Sequence, residues 1–266
     1  MKKAMNSALL VSLSMVAGLA MAQNATDDIA KYREMIADGN PAELYEAAGE
    51  DIWSKPMGPK NVSLQKCDLG LGPGVVKGAS AQLPRYFKDT NKVQDLESRI
   101  ITCMERLQGY DAKEIINAGF EKGKRKDVEA VVAYVVTASK GMKINVPVKH
   151  PKEKEMYAMG EKAFFFQGGP MDFSCASCHA EDGKRIRLQD LPNITEQKGA
   201  ALGFGYWPAY RVSSGNFWTM QRRLNDCYRQ QRFPEPIYTS DVTIALSVYM
   251  GAKAKDGVIN TPGLKR

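Results

Sequence analysis

Apolar residues recur every three or four positions through much of the chain, the spacing that buries one face of a helix. This pattern predicts helices over residues 26–37, 41–48 (with Asn40 as N-cap), 93–107, 153–165, 217–230 and 239–252. The intervening segments are rich in Gly and Pro, and few runs alternate with the two-residue period of a strand. Small helices joined by long loops favour a mainly α fold that wraps a large cofactor.

The second part of the chain repeats features of the first at a constant offset of 124 residues. The aligned identities are Pro84 with Pro208, Tyr86 with Tyr210, Arg99 with Arg223 and Cys103 with Cys227. A helical stretch at 127–134 also resembles 241–249 once a slip of one residue is allowed. We therefore predict two tandem domains of similar fold, with a boundary near residues 146–154, whose prolines disfavour a continuous helix.

The first residues have the pattern of a secretory signal peptide. Lys2 and Lys3 precede an apolar run over residues 8–20, and Ala20-Met21-Ala22 fits a cleavage site. We expect an exported, periplasmic protein whose mature chain begins near Gln23. The apolar run is short for a membrane span, and no later stretch approaches the roughly 20 apolar residues that a spanning helix needs.

Composition and charge narrow the class of partner. With 25% charged and 44% hydrophobic residues, the 266-residue chain has the profile of a globular protein with a sizeable core. Its formal charge of +7 favours anionic small molecules or acidic proteins. Nucleic acid is excluded by export. Export also brings the five cysteines into an oxidising compartment, where disulfides persist and haem is attached to cysteine pairs.

The most specific motif is Cys175-Ala-Ser-Cys178-His179. Two thiols three positions apart can add to the two vinyl groups of haem, while the adjacent imidazole binds the iron from one face. A thioredoxin-like redox pair would need a βαβ setting, which the pattern does not predict, and a structural zinc site would need four close Cys or His ligands. His150 is the only other histidine. The motif therefore predicts one covalently bound haem c with His179 as an axial ligand.

The second axial position has several candidate ligands, namely Met220, Met250, Cys227 and a solvent molecule. Cys227 is favoured because it lies in a predicted helix and its repeat counterpart, Cys103, is also a cysteine. No Cys-His pair follows Cys67, so the first domain cannot attach haem in the same way. A Cys67–Cys103 disulfide is the economical alternative, and it would leave Cys227 as an unpaired, reactive thiol.

Five arginines surround Cys227 between positions 211 and 232, against one acid, Asp226. Arg223 precedes Cys227 by four residues, so on a helix the two side chains share a face and the guanidinium could hold an oxyanion beside the sulfur. Two other interpretations are compatible with these arginines: they could form a solvated helix face, or they could pair with the haem propionates. Arg99 precedes Cys103 at the same spacing, so spacing alone does not establish catalysis.

Taken together, these features resemble the SoxA family, whose members are the larger subunits of SoxAX thiosulfate-oxidising cytochromes. The resemblance covers essentially the whole mature chain, and its most specific part is the 175–179 motif combined with Arg223 and Cys227. Many members carry a second haem in the first domain, whereas this chain is similar to the single-haem branch. The resemblance implies two cytochrome-c-like domains, 23–147 without haem and 148–266 with it, and a disulfide in place of the first haem.

The resemblance also implies an activity, that of an L-cysteine S-thiosulfotransferase. Thiosulfate is joined to a cysteine of the carrier protein SoxYZ, and two electrons leave through haem to a cytochrome acceptor. Cys227 matches the active-site sulfur, which is also the axial iron ligand and is often a persulfide. Arg223 matches the residue that binds the sulfonate oxygens. The expected partner subunit is SoxX, a small cytochrome c that completes a heterodimer.

Two other functions are compatible with a haem-attachment motif. A plain electron-transfer cytochrome would keep its haem spectrum when Cys227 is replaced by Ser, because a Met or His would be the second ligand. A ligand-sensing haem module would have an open sixth position that binds carbon monoxide on reduction. The Arg223–Cys227 pair in a basic helix argues against both.

Overall fold

The computed structural model describes residues 39–186 and 189–265. The predicted signal peptide and the predicted helix at 26–37 lie outside these residues. Pro41–Arg266 belongs to one compact unit. Within the described ranges, no helix is long and apolar enough to cross a membrane.

Helices dominate the described chain, which confirms the mainly α prediction. They are α1 (Ala42–Ser54), α2 (Leu96–Cys103), α3 (Ala112–Asn117), α4 (Gly123–Thr137), α5 (Pro151–Phe165), α6 (Cys175–His179), α7 (Gln197–Phe204), α8 (Met220–Gln230) and α9 (Asp241–Lys253). Short 3-10 turns lie at Leu64–Lys66, Ser80–Gln82 and Val212–Ser214, and a π-helical turn at Met104–Gln108 extends α2.

The strands are short, two or three residues each. They are β1 (Arg85–Phe87), β2 (Lys92–Gln94), β3 (Arg185–Ile186), β4 (Gln189–Asp190), β5 (Ala209–Arg211), β6 (Asn216–Trp218) and β7 (Gly263–Lys265). Antiparallel pairing places Tyr86 opposite Val93 in β1–β2 and Tyr210 opposite Phe217 in β5–β6. Strand β7 joins β5 in parallel, so the order of the larger sheet is β6-β5-β7.

Two predicted helices begin later than their apolar pattern suggests. Residues 93–95 and 217–219 belong to or follow the hairpin strands, and α2 and α8 start only after side-chain caps. The Asp95 carboxylate accepts a hydrogen bond from the Ser98 N–H at 2.9 Å, and the Thr219 hydroxyl accepts one from the Arg222 N–H at 3.3 Å. Such caps satisfy N–H groups that the first helical turn leaves unpaired.

Helix α5 begins inside the stretch that we expected to separate two domains. Pro151 occupies its first turn, where a missing N–H has no cost. His150 caps it, since its Nδ1 accepts from the Lys152 N–H at 3.2 Å and Glu153 accepts from the His150 N–H at 2.9 Å. His150, the only histidine outside the haem-attachment motif, is therefore a helix cap.

The same arrangement of elements occurs twice, in residues 41–147 (the first half) and 148–265 (the second half). In each half one helix crosses another at very close range, α1 against α4 and α5 against α9. A methyl group added at Gly49 would lie 2.0 Å from the Ala130 carbonyl oxygen, and one added at Gly160 would lie 2.0 Å from that of Ala245. Only glycine permits such contact, so the two crossings depend on the same residue type.

A hairpin followed by a helix completes each half. Strands β1 and β2 lead into α2, and β5 and β6 lead into α8, at the 124-residue offset seen in the sequence. The first-half core lies mainly between α1, α2 and α4, while the second-half core lies between α5, α7 and α9. Helices α2 and α8 therefore occupy equivalent places.

Cys67 and Cys103 form a disulfide with their Cα atoms 5.6 Å apart, and both are buried in the first-half core. The bond ties the C-terminal end of α2 to the loop after Lys66. Arg99, one turn earlier, donates to the Asp68 carbonyl at 2.6 Å and to Asp89 at 2.9 Å. In this half, both the arginine and the cysteine of the Arg-x-x-x-Cys pattern thus make structural contacts.

Removing this disulfide by a Cys67→Ala/Cys103→Ala double substitution is expected to lower the free energy of unfolding by about 3 to 4 kcal/mol, because the bond closes a 36-residue separation. Urea unfolding of the wild-type and doubly substituted proteins measures the difference. Reductant should weaken the wild type and leave the double variant unchanged. Equal unfolding midpoints for the two proteins would contradict a stabilising bond.

Glu129 on α4 is fully buried. One carboxylate oxygen accepts the Glu121 N–H at 3.2 Å, and the other has no hydrogen-bond partner among the described residues. Burial raises the pKa of Glu129 to about 7, although Arg222 and Arg125 act in the opposite direction. The folded protein therefore keeps this proton at pH values where the unfolded chain has lost it, and stability falls as pH rises from about 4.5 to about 7.

Substituting Glu129→Gln should abolish that part of the pH dependence. The variant should gain stability relative to the wild type at pH 8, where the wild-type carboxyl is ionised, and gain less at pH 5. Thermal unfolding at the two pH values measures the effect, with the exposed Glu50→Gln as the control. An unfolding-temperature difference that is the same at pH 5 and pH 8 would contradict the assignment.

Candidate functional site

The Cys-x-x-Cys-His motif forms the short helix α6, which begins at a reciprocal cap. The Ser174 hydroxyl accepts the Ser177 N–H at 3.1 Å, and the Ser177 hydroxyl accepts the Ser174 N–H at 3.0 Å. This capping box fixes the first turn. Cys175 and Cys178, three residues apart on a helix, consequently lie on the same face.

His179 ends α6 with one ring nitrogen engaged. Its Nδ1 lies 2.9 Å from the Pro192 carbonyl oxygen, which can only accept, so Nδ1 carries the proton and Nε2 keeps its lone pair. Burial lowers the pKa of His179, and the nearby Arg223 charge lowers it further. A neutral imidazole held by such a hydrogen bond is the usual form of a metal-ligating histidine.

Cys227 on α8 faces the motif. Its sulfur is close enough to Cys175 and Cys178 for charges on these groups to influence one another, and the Gln231 side chain hydrogen-bonds the Cys175 thiol. Burial raises the pKa of Cys175 to about 12, and the Cys227 sulfur adds to the rise. The structure thus brings all three free cysteines of the chain into one site.

Burial also raises the pKa of Cys227, and two cations oppose it. Arg223 and, more weakly, Arg211 lower that pKa, while Asp226 raises it. The arginines therefore favour the thiolate, but in the polypeptide alone they do not outweigh the loss of solvation. A thiolate at this position needs a further positive centre.

Arg223 is held in place rather than free in solvent. Its Nη1 donates to the Asp226 carboxylate at 3.0 Å, and its guanidinium lies over the Trp207 ring at 5.5 Å. Asp226 is buried and also accepts from Arg229 and Gln230, both at 2.6 Å. Although burial acts to raise the pKa of Asp226, these arginines lower it below its ordinary value.

Sequence reasoning missed several of these supporting groups. Asp226 was noted only as the single acid of a basic segment, and Trp207 and Pro192 carried no signal because their roles depend on distant contacts. Arg211 was recognisable only as one of five arginines, and its guanidinium lies over the Trp218 ring at 4.7 Å. A sequence motif reveals residues that lie close together in the chain. Trp207 and Pro192 instead contact the site from separate loops, so no motif includes them.

The other protein candidates for the second iron ligand, Met220 and Met250, pack in the second-half core. Met220 lines a cavity of about 70 Å³ between the two halves, and Met250 is buried in the core along α9. Within residues 39–186 and 189–265, no group of three or more His, Cys, Asp or Glu side chains is arranged to hold a bare metal ion. The zinc alternative therefore has no ligand set in the described chain.

The residues present fit a covalently bound haem. Two thiols share one helical face, His179 offers a free Nε2, and the Cys227 sulfur approaches from α8. Apolar side chains line the surroundings, including Ala176, Phe204 and Tyr228. Such a donor set with an apolar wall is what a c-type haem requires.

Comparison with known proteins identifies the family. Residues 48–144 match the family model for the SoxA/TsdA cytochrome c domain. The chain is 58% identical, over 274 aligned residues and 100% of both chains, to the L-cysteine S-thiosulfotransferase subunit SoxA of Hydrogenophilus thermoluteolus. The chain belongs to the SoxA family.

Other SoxA proteins support this assignment. A SoxA subunit from Hydrogenobacter thermophilus is 39% identical over 93% of this chain and 92% of its own length. A chain in the crystal structure of SoxXA from P. pantotrophus has a TM-score of 0.73 at 22% identity and covers 89% of this chain and 84% of that one, so the SoxA fold is shared. Membership of this cytochrome c family confirms the covalently bound haem c predicted from the sequence, and the attachment motif at residues 175–179 lies outside the matched residues 48–144.

Proposed function

We propose that this SoxA chain is the thiosulfate-coupling subunit of an L-cysteine S-thiosulfotransferase, which joins thiosulfate to a cysteine of the carrier protein SoxYZ. The observation that carries the proposal is the placement of Arg223 and Cys227 on α8, opposite the Cys175–His179 turn. An anion-binding group and a nucleophilic sulfur thereby meet beside the haem-attachment motif.

Cys175 and Cys178 would hold the haem through thioether bonds, and the His179 imidazole and the Cys227 sulfur would bind its iron. When bound, haem c supplies one-electron redox chemistry and a positive iron centre that stabilises Cys227 as a thiolate. The hydrogen bond from His179 Nδ1 to Pro192 orients the imidazole for this role.

Arg223 binds the sulfonate oxygens of thiosulfate, because its planar guanidinium can donate two parallel hydrogen bonds to an oxyanion. Asp226 and Trp207 keep that guanidinium in place. Arg211 adds a second positive charge facing the same sulfur, which suits a dianionic substrate. The outer sulfur of thiosulfate is then directed toward Cys227.

The Cys227 sulfur forms a disulfide-type bond with that outer sulfur, and two electrons leave to a cytochrome acceptor. The thiolate of the carrier cysteine then attacks the same sulfur, so the thiosulfate group passes to the carrier and Cys227 leaves as a thiolate. A persulfide on Cys227 would react in the same way through its terminal sulfur.

The partner and location follow the family pattern. The chain pairs with SoxX in the periplasm, after removal of the signal peptide near Ala22. The surface before the motif is unusually apolar, with exposed side chains at Phe165, Phe166, Met171 and Phe173. Such a patch suits a subunit contact beside the haem.

Residues 23–147 form the haemless domain closed by the Cys67–Cys103 disulfide, and residues 148–266 form the haem domain.

Replacing Cys227 by Ser should abolish coupling of thiosulfate to the carrier and change the haem spectrum, because it removes both the nucleophile and an iron ligand. Arg223→Gln should lower kcat/KM for thiosulfate by about a hundredfold, the effect of losing one well-placed charged contact. Mass spectrometry of the product formed on the carrier measures the loss of activity in both variants.

Arg232→Gln is the matched control for Arg223→Gln, because this arginine is exposed and lies two residues after the end of α8. It should retain most of the activity. A plain electron-transfer cytochrome would instead give a Cys227→Ser protein with the wild-type spectrum and unchanged electron transfer, and that result would remove the proposal.

A further inference from the structure

The first turn of α8 is held by the first half of the chain. The Gln221 backbone N–H donates to the Glu97 carboxylate at 3.1 Å, and the Gln221 side-chain amide donates to Asp95 at 2.5 Å. All three residues are buried. Gln221 lies 124 positions after Glu97, so the equivalent helices α2 and α8 meet at equivalent residues.

Glu97 has a second set of partners, Tyr238 and Thr219. Its other carboxylate oxygen accepts the Tyr238 hydroxyl at 2.6 Å, and the Thr219 side chain also hydrogen-bonds it. Tyr238 in turn lies under the Arg125 guanidinium at 4.0 Å. One carboxyl group therefore connects the start of α8, the segment before α9 and a cation of α4.

The next residue of α8 is tied to the same half. Arg222 forms an ion pair with Glu121, and its guanidinium lies over the Trp218 ring at 4.6 Å. Arg223 follows directly, and Cys227 is one turn further along. Since a helix transmits displacement along its axis almost rigidly, a shift of the first turn moves the active-site side chains by a similar distance.

Glu97 is a buried carboxyl group whose ionised form its surroundings disfavour. Burial raises the pKa of Glu97 to about 8, and the neighbouring Asp95 adds to the rise, while the bonds from Tyr238 and Gln221 oppose it. A carboxyl group in such surroundings costs free energy of folding near neutral pH. Its geometric effect, the fixing of two segments at one point, is what it provides.

We propose that Glu97 is a positioning residue for sulfur transfer: from the haemless half, its carboxyl group holds the first turn of α8 and so sets where Arg223 and Cys227 stand at the haem site. The inference rests on the proposed function, because it assigns these two residues their roles there. It also gives the haemless half a part in the reaction.

The test compares four holoproteins in complex with the SoxX partner: wild type, Glu97→Ala, Glu97→Gln and Glu153→Ala. Glu153 on α5 is the matched control, since it is also buried and accepts backbone N–H groups, that of Tyr86 in β1 and that of His150 at the start of α5. For each protein, kcat and KM for thiosulfate are measured per haem, with the carrier as acceptor. The g-values of the ferric haem bound to this chain and the unfolding midpoint are measured on the same samples.

We expect Glu97→Ala to lower kcat per haem by about tenfold or more, because a displacement of about 1 Å can cost a hundredfold. Its ferric g-values should shift or split into two species. Glu97→Gln keeps an acceptor for the Gln221 N–H and should restore wild-type g-values and most of kcat. Glu153→Ala should lower the unfolding midpoint alone.

Wild-type g-values and wild-type kcat per haem in Glu97→Ala would overturn the proposal, whatever its stability, and so would an equal shift in Glu153→Ala. If the Glu97→Ala chain does not fold, Tyr238→Phe removes only the hydroxyl bond to Glu97, and unchanged g-values there would likewise overturn it. The g-values do not depend on turnover. A wild type that fails to couple thiosulfate therefore refutes the proposed function while the role of Glu97 is still tested.

Discussion

The close crossing of two helices at a single glycine determines how each half of this protein is built. At Gly49 and at Gly160 the backbones approach so nearly that a methyl group would meet a carbonyl oxygen at 2.0 Å. A helix pair at that distance leaves little space between its axes, and the remaining elements pack on its outer surface. The hairpins pack on helices of the opposite half: β1 and β2 contact α5, and Phe217 of β6 packs against Tyr45 of α1.

The two halves use the equivalent helix differently. At the end of α2, Cys103 is closed by a disulfide and Arg99 is neutralised by Asp89. At the corresponding point of α8, Cys227 has no disulfide partner and faces the haem-attachment turn, with Arg223 beside it. The cysteine that the proposed reaction uses in one half therefore corresponds to a cysteine of a structural cross-link in the other.

Much of this could be predicted from the sequence because the decisive signals are local. The 175–179 motif, the Arg223–Cys227 spacing and the ungapped repeat each depend on residues that are close in sequence or at a fixed offset. Strands β1, β2, β5 and β6 were missed, since three residues are too few to display an alternating pattern. The helix starts at Leu96 and Met220 were therefore placed too early.

Contacts between distant segments could not be predicted in the same way. The approach of Pro192 to His179, of Trp207 to Arg223 and of Glu97 to Gln221 depends on how loops and halves come together. Such contacts leave no periodic or spaced pattern in one sequence. They are nevertheless the contacts that orient the site, so the motif specified the chemistry while the tertiary structure specified its geometry.

The central claim is that Cys227 carries sulfur covalently during the reaction. The most direct measurement is intact-protein and peptide mass spectrometry of the purified holoprotein, before and after exposure to thiosulfate and an oxidised cytochrome acceptor, with and without reductant. We predict the mass of one haem on the 175–179 peptide and added sulfur on the Cys227 peptide, about 32 Da for a persulfide, which reductant removes. A Cys227 peptide that stays unmodified throughout while thiosulfate is consumed would contradict the account.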